Sequence, residues 1–133
     1  MVTARVLALV GVLAAGCGPV AAATPAPALD GAWRVAAIGG EAVPAAAGLT
    51  IAFTGGEVRG DTGCNRLSGR YSVEGSRLSV GPIRVTERGC AAAVMAREAK
   101  FLRALGTAIR VEAAADGVVL VGTSGERLAL VRG

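Results

Sequence analysis

The sequence predicts a mainly β fold: a small antiparallel, barrel-like sheet of about eight short strands with one packed α-helix at about 91–105. Three observations carry this. Short runs of alternating apolar and polar residues recur from Trp33 to Val131, with glycine-rich turns between them. Only Ala91 to Leu105 places apolar residues at three- and four-residue spacings. The chain has 133 residues, 20 of them Gly, which suits one domain with many tight turns. Closing the sheet protects strand edges that otherwise invite aggregation.

The elements follow in order. Trp33, Val35 and Ala37 alternate with Arg34 and Ala36 in a first strand, where Trp33 anchors the core. Gly39 to Gly48 reads as a loop. Leu49, Ile51 and Phe53 face inward from the next strand, and Gly55-Gly56 turns the chain. Glu57 to Thr62 returns with Val58 inward, and Gly60 is the place for a bend or bulge. The Gly63-Cys64-Asn65 turn leads into Leu67, Gly69, Tyr71 and Val73 on one face. Leu78 and Val80, then Ile83 and Val85, form short strands on either side of Gly81-Pro82.

The helix carries Ala91, Val94, Met95, Leu102 and Leu105 as its apolar stripe, and Gly106 suits its end. Glu98 falls towards the buried side, four residues after Val94 and four before Leu102. A buried carboxylate needs a partner. Arg84, Arg88 and the backbone amides of the Gly63 turn are the candidates. Beyond the helix, Ile109, Val111 and Ala113 alternate with Arg110 and Glu112. Val118 to Val121 and Arg127 to Val131 complete the sheet.

The first segment reads as an address. Arg5 precedes an apolar run from Val6 to Ala15, which at about ten residues has the length of a signal-peptide core. A bilayer span takes roughly 20 residues. Leu13-Ala14-Ala15-Gly16-Cys17 resembles a bacterial lipobox, with Cys17 as the lipidated new N-terminus. The expected organisation is a lipoprotein signal peptide at 1–16, the lipidated Cys17 with a Pro/Ala tether at 17–29, and a domain at 30–133. Ordinary secretion, with cleavage after Ala21-Ala22-Ala23, is the alternative. Two acyl chains on Cys17 make a firm anchor, since each buried methylene contributes about 0.8 kcal/mol.

Composition narrows the chemistry. The net charge of +4 is mildly basic, and the arginines lie scattered at alternate strand positions as on solvated faces. No dense basic patch for nucleic acid is apparent in this pattern. The absence of histidine excludes Ser-His-Asp and Cys-His catalysis. It also leaves no zinc site, because Cys64 and Cys90 supply two ligands where four are needed. Ser124 stands in no Gly-x-Ser-x-Gly elbow, and Lys100, the only lysine, lies on the outer helix face. No phosphate-loop fingerprint follows Gly60 and Gly63. Glu57 and Asp61 share a strand face as a candidate acid pair, but exposed pairs of this kind are common.

An exported chain with two cysteines in its folded part is expected to join Cys64 to Cys90. Their spacing of 26 gives roughly 3–4 kcal/mol in the chain-entropy account.

The set formed by Trp33, Leu49 to Phe53, Gly60, Gly63-Cys64-Asn65, Ser68 to Tyr71, Thr86, Cys90, Met95 and Glu98 to Leu102 resembles a META domain of the HslJ-like kind, over residues 30–132. Arg88 stands where that family usually has Met, and Ala91 where it often has Pro. The resemblance implies a barrel with one packed helix, and no established enzymatic activity. It also implies a secreted or membrane-tethered protein associated with stress or antibiotic tolerance. The expectation is a non-enzymatic, monomeric module that needs no cofactor and binds no nucleic acid. Asn65, Glu98 and Arg88 form its structural centre or cleft. Its partners would be the membrane, reached through Cys17, and an unidentified envelope protein. A carrier of a lipid or other apolar ligand is the alternative.

Overall fold

The computed structural model describes residues 27–133 together with Gly11 and Gly16. Ten strands and one helix run in the order β1 (Gly31–Ile38), β2 (Glu41–Ala42), β3 (Leu49–Thr54), β4 (Glu57–Thr62), β5 (Arg66–Glu74), β6 (Arg77–Val80), β7 (Arg84–Val85), α1 (Ala92–Gly106), β8 (Ala108–Ala114), β9 (Gly117–Gly122) and β10 (Arg127–Arg132). Eight of them close a barrel in the spatial order β1, β3, β4, β5, β6, β8, β9, β10, with β10 returning to β1. All pairings are antiparallel. The expected fold class is therefore the observed one. β2 and β7 are short additions on β1 and β5.

The alternating residues fill the interior. Val35, Leu49, Ile51, Phe53, Val58, Val111, Leu120, Leu128 and Leu130 are all buried, and Phe101 and Leu105 of α1 join them. Each such side chain contributes about 1.5–3 kcal/mol when fully buried. The few aromatics are concentrated in this interior: Phe53 and Tyr71 meet edge to face, with centroids 4.9 Å apart.

The barrel ends are closed differently. At one end Leu29 is buried, and its carbonyl accepts a hydrogen bond from Trp33 Nε1 at 2.8 Å. The Arg132 guanidinium lies 3.6 Å from the centroid of the Trp33 ring. Leu29, placed in the tether by its sequence, thus belongs to the core. It supplies the Trp33 indole with both an acceptor and a cover. At the other end, α1 lies in the connection between β6 and β8 and packs against β1, β4, β9 and β10.

Several expectations shift by one residue for identifiable reasons. Ala91 caps the helix, its carbonyl accepting from the amides of Val94 and Met95, so α1 runs Ala92–Gly106 rather than 91–105. The inner face of α1 is Glu98, Phe101, Ala104 and Leu105; Val94, Met95 and Leu102 are half-buried and Ala91 is exposed. A register shift between Val35 and Ala37 turns Ile38 inward in place of Ala37. A second shift between Ala108 and Arg110 leaves Ile109 44% exposed while Ala108 and Val111 are buried. The stretch 39–48 holds β2, the 3-10 turn Ala45–Ala47 and a buried Val43. Gly60 makes no bulge. It sits where a Cβ would fall 2.4 Å from the Thr50 carbonyl oxygen, so β3 and β4 approach too closely there for any side chain.

Candidate functional site

The Gly63-Cys64-Asn65 turn and α1 meet at the helix end of the barrel. Gly63 adopts φ 84°, and a Cβ on it would lie 2.7 Å from the Ala47 carbonyl oxygen. Only glycine fits both the conformation and the space. Its amide donates to Asp61 Oδ1 at 2.8 Å, which tightens the turn. Thr62, the last residue of β4, follows the inward parity of Val58 and Gly60 and is fully buried.

Four side chains then converge. Glu98 Oε2 accepts from Thr62 Oγ1 at 2.5 Å and from Asn65 Nδ2 at 2.9 Å. Asn65 Nδ2 also donates to the Arg88 carbonyl at 3.2 Å. Asn65 Oδ1 accepts from the Arg88 amide at 2.7 Å and from Thr86 Oγ1 at 3.0 Å. The buried Asn65 thus makes all four hydrogen bonds its amide can make. Thr62 Oγ1 in turn accepts the amides of Asn65 at 2.8 Å and Cys64 at 3.3 Å. Three segments distant in sequence are tied by one residue: the β4–β5 turn, the strap 86–90, and α1.

The Cys64–Cys90 disulfide spans a Cα–Cα distance of 6.1 Å and clamps the same turn to the start of the helix from the solvent side. Cys90 is exposed and Cys64 half-buried.

Of the expected site residues, the structure brings Asn65, Glu98, Cys64 and Cys90 together. Arg88 takes part through its backbone alone. Its side chain is exposed, and the expected partners of Glu98, Arg84, Arg88 or the amides of the Gly63 turn, are corrected: those amides go to Asp61 and Thr62, and two neutral side-chain donors, Thr62 and Asn65, satisfy the carboxylate. Arg84 is likewise exposed on the outer sheet face. Cys17 lies outside the described residues. The contributions of Thr62 and Thr86 were missed. Thr62 was detectable as a polar residue at an inward strand position.

The chemistry of this cluster is that of a lock. Among the described residues no buried side-chain polar atom lacks a hydrogen-bond partner, and no three His, Cys, Asp or Glu residues converge to hold a metal. Glu57 and Asp61 point outward, the first paired to Arg59 at 2.9 Å and the second committed to the Gly63 amide. Elsewhere, the Arg110 hydrogen bond to Glu112 holds that carboxyl below its usual range, opposed by partial desolvation and aided by the charges of Arg110 and Arg127. Burial, with Asp30 accepting the Tyr71 hydroxyl at 3.1 Å, pushes the Tyr71 phenol up.

A protein-family model described as META domain matches residues 26–133. No curated protein sequence matches the chain. Among solved structures, the chain is similar to a protein from Burkholderia xenovorans determined by NMR. That pair has 26% identity and a TM-score of 0.65, covering 85% of this chain and 93% of the other. It is also similar to the crystal structure of a DUF4847 family protein from Bacteroides vulgatus, at 14% identity and TM-score 0.60, covering 79% and 94%. The latter likeness concerns the fold alone.

Proposed function

The chain belongs to the META domain family, and from that premise we propose that it is a membrane-anchored envelope lipoprotein. Its barrel is a non-enzymatic binding or scaffolding module serving stress or antibiotic tolerance. The observation that carries the non-catalytic reading is the Thr62–Asn65–Glu98 cluster. Its buried polar groups bond to one another and to backbone, so they hold the helix on the barrel rather than await a substrate.

Two further features support the reading. The apolar run before Cys17 and the Pro-containing stretch after it have the composition of a lipoprotein leader and its tether. The buried Leu29 lies at the opposite end of the barrel from α1. A tether leaving there would direct the helix and the disulfide away from the membrane, where an envelope partner can reach them. The mature protein would act as a monomer on the extracytoplasmic face.

The deciding measurement is the intact mass of the mature protein extracted from its native membrane without reducing agent. A mass starting at Cys17 with acyl chains added supports the anchor. A mass starting near Thr24 without lipid makes it a soluble exported protein and overturns the anchored reading.

One observation favours a second reading, the carrier of an apolar ligand. Val80, Pro82, Ile83, Val85 and Leu102 line a cleft of about 520 Å³ between β6, β7 and the end of α1. Mass spectrometry of small molecules co-purified with the protein separates the two: a stoichiometric lipid favours the carrier.

A further inference from the structure

We infer that the outer face of β4, β5 and β7 is a binding groove for a phosphoryl group, centred on Ser68. The ladder registers gather four arginines that are scattered in the sequence. Arg59 on β4 and Arg84 on β7 both stand directly opposite Ser68 on β5. Arg66 and Arg70 lie two residues to either side of Ser68 on the same strand, and so on the same face. With strands about 4.8 Å apart and about 3.4 Å of rise per residue, the four Cα atoms fall within about 10 Å across the sheet and about 14 Å along it. Two adjoining lobes of about 420 and 410 Å³ share Ser68, Arg84 and Glu57. Ser68 is half-buried at the floor, while the arginines are exposed around it.

The charge there is unbalanced. Glu57 is taken by Arg59 at 2.9 Å. Asp61, opposite Arg66, spends one oxygen on the Gly63 amide. Among the described residues, Arg66, Arg70 and Arg84 have no carboxylate within salt-bridge distance. Across the β4–β5 ladder Glu57 stands opposite Arg70 and Asp61 opposite Arg66, so two carboxylates face four guanidinium groups and the excess positive charge repels itself. An anion between them turns that repulsion into attraction.

A phosphoryl group suits the arrangement better than a carboxylate. Its terminal oxygens accept guanidinium forks arriving from both sides of Ser68 and from along the strand, whereas a planar carboxylate is satisfied by one fork. The phosphoryl group can belong to a lipid headgroup or to a soluble phosphate ester. The site stands whether or not the chain is lipid-anchored.

The test uses the full chain carrying C17S, titrated with inorganic phosphate at low salt and followed by NMR. Saturable shifts at the Ser68 amide and the arginine Nε–H groups are expected. They should weaken at least tenfold in R66Q/R84Q, with the thermal midpoint unchanged, and partly recover in R66K/R84K. Absence of saturable shifts, equal shifts in the R66Q/R84Q variant, or loss of binding only alongside a lowered midpoint overturns the inference. Sedimentation with phosphatidylglycerol vesicles then identifies the source. Vesicle binding that needs Arg66 and Arg84 and is displaced by phosphate points to a headgroup. Phosphate binding with equal vesicle binding in both proteins points to a soluble ester.

Discussion

Asn65 and Glu98, 33 residues apart in the chain, meet through a 2.9 Å hydrogen bond from Nδ2 to Oε2 at the helix end of the barrel. Through this contact the Gly63-Cys64-Asn65 turn holds α1 in place. Because Thr62 donates to the same oxygen, the helix is held by the end of β4 and by the turn that follows it at once.

Replacing Glu98 by Gln keeps an acceptor for both donors but removes the charge that strengthens them. E98Q is expected to lower stability by about 1 kcal/mol, and E98A by about 3 kcal/mol, because the buried Thr62 hydroxyl then has no acceptor and Asn65 loses one of its four hydrogen bonds. Urea unfolding followed by the fluorescence of the single Trp33 measures both. An E98A protein as stable as the parent would show the lock to be idle.

N65A removes the four hydrogen bonds of one side chain. A cost of about 3 kcal/mol is expected. In a double-mutant cycle with E98A the two losses should add to less than their sum, since both break the same contact. Strict additivity would mean that the two residues act separately.

Removing the disulfide as C64S/C90S frees a 26-residue loop. The expected loss is roughly 3–4 kcal/mol. Hydrogen exchange should rise first around 63–65 and the start of α1, and a uniform rise across the barrel would contradict a local clamp.

G60A places a methyl group where the Thr50 carbonyl oxygen already stands, 2.4 Å away. Forcing β3 and β4 apart in a closed barrel is expected to cost about 2–3 kcal/mol. Denaturant unfolding gives the value, and a loss below that of an ordinary exposed-strand substitution would mean that the strands yield easily.

Tyr71 is the only tyrosine, so an ultraviolet titration reports it alone. Burial, then the Asp30 hydrogen bond and charge, set its pKa above the ordinary value of 10.0. The folded value exceeds the unfolded one. The associated stability is therefore complete below the unfolded pKa and is lost as pH rises through the folded pKa. D30N should lower the phenol's pKa only in part, since burial is the larger cause. A titration midpoint at the unfolded value would refute the half-buried placement beside Asp30.

Much of the barrel was legible in the sequence because strand alternation is local. The parity of Leu49, Ile51 and Phe53 selects their face without reference to any partner, and the Gly55-Gly56 turn needs only its own residues. The two register shifts were not legible. They depend on how β1 matches β10 and how β8 matches β9, and Ile38 and Ile109 took the faces those pairings imposed. The site divides in the same way. Asn65, Glu98 and the two cysteines stand out individually, while Thr62 shows only an inward parity and its bond to Glu98 depends on how α1 docks.

By itself the sequence determined the fold class, the leader-like composition before Cys17, the glycine turns and the need of Glu98 for a partner. Each of these follows from residue type and spacing along a few positions. The tertiary structure alone decided that the partner is Thr62 with Asn65 rather than an arginine or a turn amide, and that Arg59, Arg66, Arg70 and Arg84 encircle Ser68. Those are juxtapositions between segments that strand pairing and helix docking bring together. A one-residue slip in pairing would move each of them to the other face, so no local pattern can encode them.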